Sequence, residues 1–131
     1  MNAVVVDTSV LIDLLEGGEA AGALEPFDRL LVPAAVDAEF RAGLDPDTRS
    51  GRLHAALLDE LLDDPSVEFV PTGRAESRKY AQIYRYLKKQ GTPLPVHDIW
   101  IAAVALVRDL PLCSGDRHFR RIPLLRVVRG G

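Results

Sequence analysis

Apolar residues in this chain fall in short blocks whose internal spacing changes along the sequence. Ala3 to Val6 is a brief run rich in valine that stops at Asp7, which predicts a buried strand. Beyond it, Val10, Leu11, Leu14 and Leu15 recur at helical intervals as far as Gly17-Gly18, so Ser9 to Leu15 is read as a helix. The alternation continues. Leu30 to Val32 is a second strand, and Pro33 opens a helix that runs through Val36, Glu39 and Phe40 and stops at Gly43. Thr48 to Leu62 reads as helix and Val67 to Val70 as a third strand. Thr72 is the expected N-cap of a long helix with Tyr80, Ile83, Tyr84 and Leu87 on one face, closed by Gly91. From His97 to Leu110 the chain is apolar on nearly every side, as in a helix buried at the centre of a domain, and Pro111 ends it. Leu112 to Ser114 and Arg126 to Val128 complete five strands.

Strands alternating with helices predict an α/β fold with a mainly parallel sheet covered on both faces. In such sheets the working site lies beyond the carboxyl ends of the strands. Asp7 closes the first strand and Asp116 follows the fourth by two residues. No repeat, low-complexity tract or linker divides the 131 residues, so one domain spanning 1–131 is expected.

Composition narrows the setting. The single cysteine, Cys113, permits no internal disulfide and suits a reducing compartment. The amino terminus has no basic leader, and the longest apolar run, Ile99 to Val107, is far shorter than the roughly 20 residues of a membrane-spanning helix. A soluble cytoplasmic protein without a membrane partner is expected. Net charge is only −3, but residues 1–72 carry 15 acidic and 4 basic side chains while residues 73–131 carry 4 and 12. The basic second half can face a polyanion, or its charges can simply solvate helix surfaces.

Candidate chemistry comes from carboxylates. Asp7 stands where the first strand meets a helix N-terminus, a place that suits either a helix cap or a catalytic acid. Asp98 precedes Ile99-Trp100-Ile101 at the start of the buried helix, where an ionised carboxylate must be neutralised, paired or bound to a cation unless backbone amides cap with it. Glu39 and Asp37 share a helix but point roughly 160° apart, so only one of them can face a common site. Acids gathered together raise one another's pKa, and a divalent cation resolves the conflict. Oxygen donors without a His/Cys constellation point to Mg²⁺ or Mn²⁺; His54, His97 and His118 show no zinc spacing. Such ions activate water and stabilise the leaving oxygen of a phosphodiester.

Four segments together resemble PIN-domain ribonucleases, and within them the VapC-type toxins of bacterial toxin–antitoxin pairs. Val4 to Asp13 is similar to the family's opening motif, Glu39-Phe40-Arg41-Ala42-Gly43 to its second, His97 to Ala103 to its third, and Ser114 to Phe119 to its fourth. The resemblance covers nearly the whole chain. It implies a PIN-like, Rossmann-like three-layer sandwich with a five-stranded sheet, endonucleolytic cleavage of RNA with Mg²⁺ or Mn²⁺, a homodimer, and a cognate antitoxin that blocks the site. It assigns the metal to Asp7, Asp98 and Asp116, selects Glu39 over Asp37 to bind metal or orient water, and makes Thr8 and Ser114 candidate donors to substrate phosphate. Arg117, Arg120 and Arg121, which follow Asp116, are the preferred RNA contacts. His97 departs from the small or polar residue expected before Asp98.

The remaining conspicuous residues have ordinary readings. Tyr80 and Tyr84 share an apolar stripe and are expected to pack, as is Trp100, although Tyr80, Tyr84 and Tyr86 among Arg78, Lys79, Arg85, Lys88 and Lys89 could also stack bases. Cys113 reads as an inert buried thiol, and Asp13, Glu16 and Glu19 as solvated helix surface. A phosphatase using Asp7 as nucleophile is disfavoured because Ser9 stands where its second acid belongs. A catalytically inactive PIN-like scaffold that acts through protein binding is the remaining alternative.

Overall fold

A computed structural model describes residues 2–130. Its elements are β1 (Ala3–Val6), α1 (Thr8–Leu15), α2 (Ala20–Leu24), β2 (Arg29–Pro33), α3 (Ala34–Ala42), α4 (Arg49–Leu62), β3 (Val67–Val70), α5 (Arg74–Gln90), α6 (Val96–Arg108), β4 (Leu112–Ser114) and β5 (Val127–Arg129), with a 3₁₀ turn at Arg117–Arg121. The five strands form one sheet in the order β3-β2-β1-β4-β5, and all four neighbouring pairs are parallel.

The order reverses between β1 and β4. Helices α1 to α4 carry the chain outward from β1 to β3, and α5 and α6 bring it back to the other side of β1. Right-handed crossovers set these two groups on opposite faces of the sheet. Covering both faces explains why β1 has no polar side, with all four of its residues buried. The reversal opens a crevice at the carboxyl ends of β1 and β4, the place where such sheets bind ligands.

Local chemistry accounts for most boundaries. Thr48 Oγ1 accepts the Gly51 amide at 3.0 Å and starts α4. Gly91, at φ 70°, adopts the left-handed conformation that stops α5. Several expectations need correction. The N-cap of α5 is Gly73 rather than Thr72; Glu76 reaches back to the Gly73 amide at 3.2 Å while Arg108 holds its other oxygen at 2.8 Å, replacing the hydroxyl cap with a buried ion pair. Asp13 is not plain solvated surface: it is half-buried, and its Oδ2 accepts the Ala20 amide at 2.6 Å, starting the unforeseen helix α2. Helix α6 begins at Val96, which puts Asp98 inside the first turn, and it ends at Arg108 because Asp109 turns left-handed at φ 52°. Strand β5 lies one residue later than its apolar run implied.

Trp100 packs as expected, its ring 4.3 Å from that of Tyr80, which in turn stacks 6.2 Å from Tyr84. Among the described residues no helix is long and apolar enough to cross a membrane.

Candidate active site

Asp7 leaves β1 and caps α1. Its Oδ1 accepts the Val10 amide at 2.8 Å, and its Oδ2 accepts the Ser114 hydroxyl from the end of β4. The cap and catalytic readings therefore do not compete, because each carboxylate oxygen keeps a second lone pair after its hydrogen bond. Burial is nearly complete, at 4% exposure. It raises the Asp7 pKa although both hydrogen bonds oppose the shift, and the charges of Asp116 and Glu39 push in the same direction as burial.

Ser114, 2% exposed, ties the two sides of the crevice together. While its hydroxyl donates to Asp7, its oxygen accepts the Asp116 amide at 2.9 Å. Asp116 then caps the 3₁₀ turn, its Oδ1 accepting the His118 amide at 2.8 Å with the imidazole Nδ1 at 3.1 Å.

Two helices supply the remaining acids. Asp98, on the first turn of α6, is half-buried, and no donor among the described residues bonds to its carboxylate, so the capping alternative does not hold. Burial raises its pKa to about 6, reinforced by the charges of Asp116, Glu39 and Asp7 and opposed by His118. Glu39, on α3, lies 3.4 Å from His97 Nδ1. Asp37 turns the other way: Arg41 binds it at 3.1 Å and reaches Asp59 of α4 at 2.7 Å. The two acids of α3 are thus divided as the helical angle requires, one toward the crevice and one toward α4.

Four carboxylates from β1, α3, α6 and the turn after β4 therefore share one electrostatic field, with the imidazoles of His97 and His118 beside two of them and no Lys or Arg ion pair to any of them among the described residues. As they stand, no three His, Cys, Asp or Glu side chains among the described residues converge as a finished metal cage. The donor set, carboxylate oxygens flanked by hydroxyls, fits a hard divalent cation and not zinc.

Thr8 was named from the sequence as a candidate donor, but its surroundings were not foreseen. Its Oγ1 is buried with no hydrogen-bond partner, and the residue lines a groove of about 380 Å³ shared with Glu39, Phe40 and the start of α4. A buried hydroxyl without a partner costs free energy until a ligand supplies one. His118 beside Asp116 and Arg129 beside Ser114 were also missed, because they become neighbours only through a turn and through strand register. Arg117 and Arg120 lie next to Asp116, lining a cleft with Ser114, whereas Arg121 is exposed and does not line it.

This geometry can be set beside that of known proteins. The chain belongs to the PIN domain family, whose profile matches residues 4–125. It is 35% identical over 119 residues, 88% of this chain and 84% of the relative, to Ribonuclease VapC5 of Mycobacterium tuberculosis, which sets it among the VapC ribonucleases. Among solved structures it is similar to VapBC-5 from Mycobacterium tuberculosis, a member of the VapBC family of toxin–antitoxin systems, with TM-score 0.77 and 28% identity over 98% of this chain and 99% of that one. DNA-bound VapBC from Salmonella typhimurium superposes over the full length of both chains with TM-score 0.87 at 21% identity, which bears on the fold alone.

Proposed function

We propose that this chain is a metal-dependent endoribonuclease, the toxin of a toxin–antitoxin pair, acting in the cytoplasm as a single-domain homodimer that a cognate antitoxin inhibits. The observation that carries the proposal is the cluster of Asp7, Glu39, Asp98 and Asp116, in which burial and mutual repulsion raise the pKa of Asp7 and Asp98 with no Arg or Lys partner among the described residues. Such a field is a place for a cation. Asp7, Asp98 and Asp116, with Glu39, would hold Mg²⁺ or Mn²⁺, which supplies Lewis-acid charge to the phosphodiester and lowers the pKa of water. Ser114 ties Asp7 to the Asp116 turn, so these two acids would draw together on an ion as one unit, with Asp98 and Glu39 closing from their helices. Glu39, paired only with a half-exposed His97, is free to orient the attacking water. Thr8, whose Oγ1 is buried without a hydrogen-bond partner among the described residues, would turn that hydroxyl to the substrate phosphate on binding, and Arg117 and Arg120 would balance the charge of the RNA strand. The antitoxin is inferred from the likeness to VapBC-5, a member of a toxin–antitoxin family.

The test is cleavage of defined RNAs by antitoxin-free protein with Mg²⁺, Mn²⁺ or EDTA, alongside Asp7→Asn and Asp98→Asn. Cleavage that needs the ion and both acids is expected. Undiminished cutting in EDTA, or no cutting by folded protein with either ion, overturns the reading.

A further inference from the structure

Beyond Asp116, on the side away from α3, lies a cleft of about 30 Å³ lined by Ser114, Asp116, Arg117, Arg120 and Arg129. Two different constraints bring the arginines there. The 3₁₀ turn after Asp116 presents Arg117 and Arg120, and parallel pairing sets Arg129 of β5 directly beside Ser114 of β4. The chain is held close at this point: a Cβ on Gly130 would lie 2.6 Å from Val10 Cγ2 and 3.1 Å from Cys113 Sγ. Only glycine lets the end of β5 sit against the floor of the crevice.

Four arginines elsewhere are ion-paired, Arg29 with Glu68, Arg41 with Asp37 and Asp59, Arg108 with Glu76 and Arg126 with Asp109; what sets the next three apart is that they share one cleft. Arg117, Arg120 and Arg129 form no ion pair among the described residues. Three guanidiniums around one cleft repel each other unless an anion joins them. The cleft is small, and the three arginines that line it are exposed, open to an anion from solution. Guanidinium forks match the paired oxygens of a phosphate.

We propose that Arg117, Arg120 and Arg129 form a second phosphate subsite, which holds the backbone phosphate neighbouring the one at the carboxylates and so sets the line of the RNA strand across the site. This rests on the ribonuclease reading, and Arg129 is its new member. The subsite binds phosphate and does no chemistry.

The test is binding of a labelled single-stranded RNA in EDTA, where no cutting occurs, followed by fluorescence anisotropy across a KCl series. Arg129→Gln and Arg120→Gln are each expected to weaken binding several-fold and to reduce the slope of log K against log salt by about 0.7, the value for one single-strand phosphate contact. Arg52→Gln, on α4 and outside the cleft, leaves the slope unchanged. A neutral methylphosphonate at one linkage beside the cut should reproduce the loss in wild type and add nothing in Arg129→Gln. In cleavage assays the same variants raise KM while kcat stays within about twofold. Unchanged salt slopes, or variants that lose affinity only for an acidic protein partner, overturn the subsite. If no RNA is cut by any form while the slope differences persist, the ribonuclease reading fails and the subsite stands.

Discussion

The two flanks of the carboxylate cluster are opposites. Toward α3 and α4 the groove is lined by Glu16, Glu39 and Asp45 among apolar Ile12, Phe40 and Leu44, with no Lys or Arg. Toward β5 the cleft is lined by three arginines and only one acid, Asp116. The first flank is built from the acidic half of the sequence and the second from the basic half. The crossover back from β3 to β4 thus turns a division along the chain into a field across the site. A polyanion gains free energy on one side and loses it on the other, so the direction of approach is decided before any base is read.

The cluster between the flanks carries the largest effect. Asp98→Asn should lower the cleavage rate by about 10³-fold with Mn²⁺ saturating, because losing one acid forfeits several kcal/mol of charge stabilisation at the phosphoryl group. Initial rates on one RNA measure it, and a loss below tenfold would remove Asp98 from the metal site. Next is the seam that positions the basic flank. Gly130→Ala drives a methyl group against Val10 and Cys113, and thermal unfolding should show about 1–3 kcal/mol lost. No loss would mean that the end of β5 moves freely.

Reversing charges sharpens the contrast directly. Arg129→Glu should raise KM about tenfold at low salt, whereas Glu16→Lys on the acidic flank should lower it by only about twofold, since both are exposed and screened but only Arg129 lines the proposed phosphate subsite. Raising KCl should shrink both changes. Equal effects on the two flanks would show that the field has no preferred side.

How much of this could be read beforehand depends on the range of the interaction. The end of β1 at Asp7, the helix opened by Pro33, the left-handed stop at Gly91 and the buried α6 each follow from a few adjacent residues, and they were legible. The separation of Glu39 from Asp37 followed from helical geometry, but the choice between them needed the family resemblance; Arg41 and Asp59 now supply a physical reason for it. Asp13 misled because its partner, the Ala20 amide, is brought back by a turn no periodicity describes. Gly73 displaced Thr72 as the N-cap of α5 because Glu76, held by Arg108 from 32 residues away, reaches back to its amide. Arg129 was invisible for the same reason: its place beside Ser114 is a matter of strand register, and alternating apolar residues do not report which strand a terminal one will join.

The smallest effect concerns stability and the sign of the charge in the cluster. Asp98 has a pKa of about 6 in the fold, against an ordinary value near 3.8, so the folded protein holds its proton more tightly than the unfolded chain. Its contribution to stability is fully present below about pH 3.8 and is lost as pH rises through 6. Asp98→Asn removes this dependence. Carboxylates with lowered pKa, such as Glu76 beside Arg108, act in the opposite direction in both proteins and cancel in the comparison. In EDTA, the variant should therefore melt at nearly the wild-type temperature near pH 4 and a few degrees above it at pH 7.5. Saturating Mn²⁺ at pH 7.5 should reverse the order, because an ion bound to ionised Asp98 stabilises only the wild type. If the gap between the two proteins does not depend on pH, Asp98 is solvated or paired, and the central acids are not the strained cluster on which the contrast between the flanks depends.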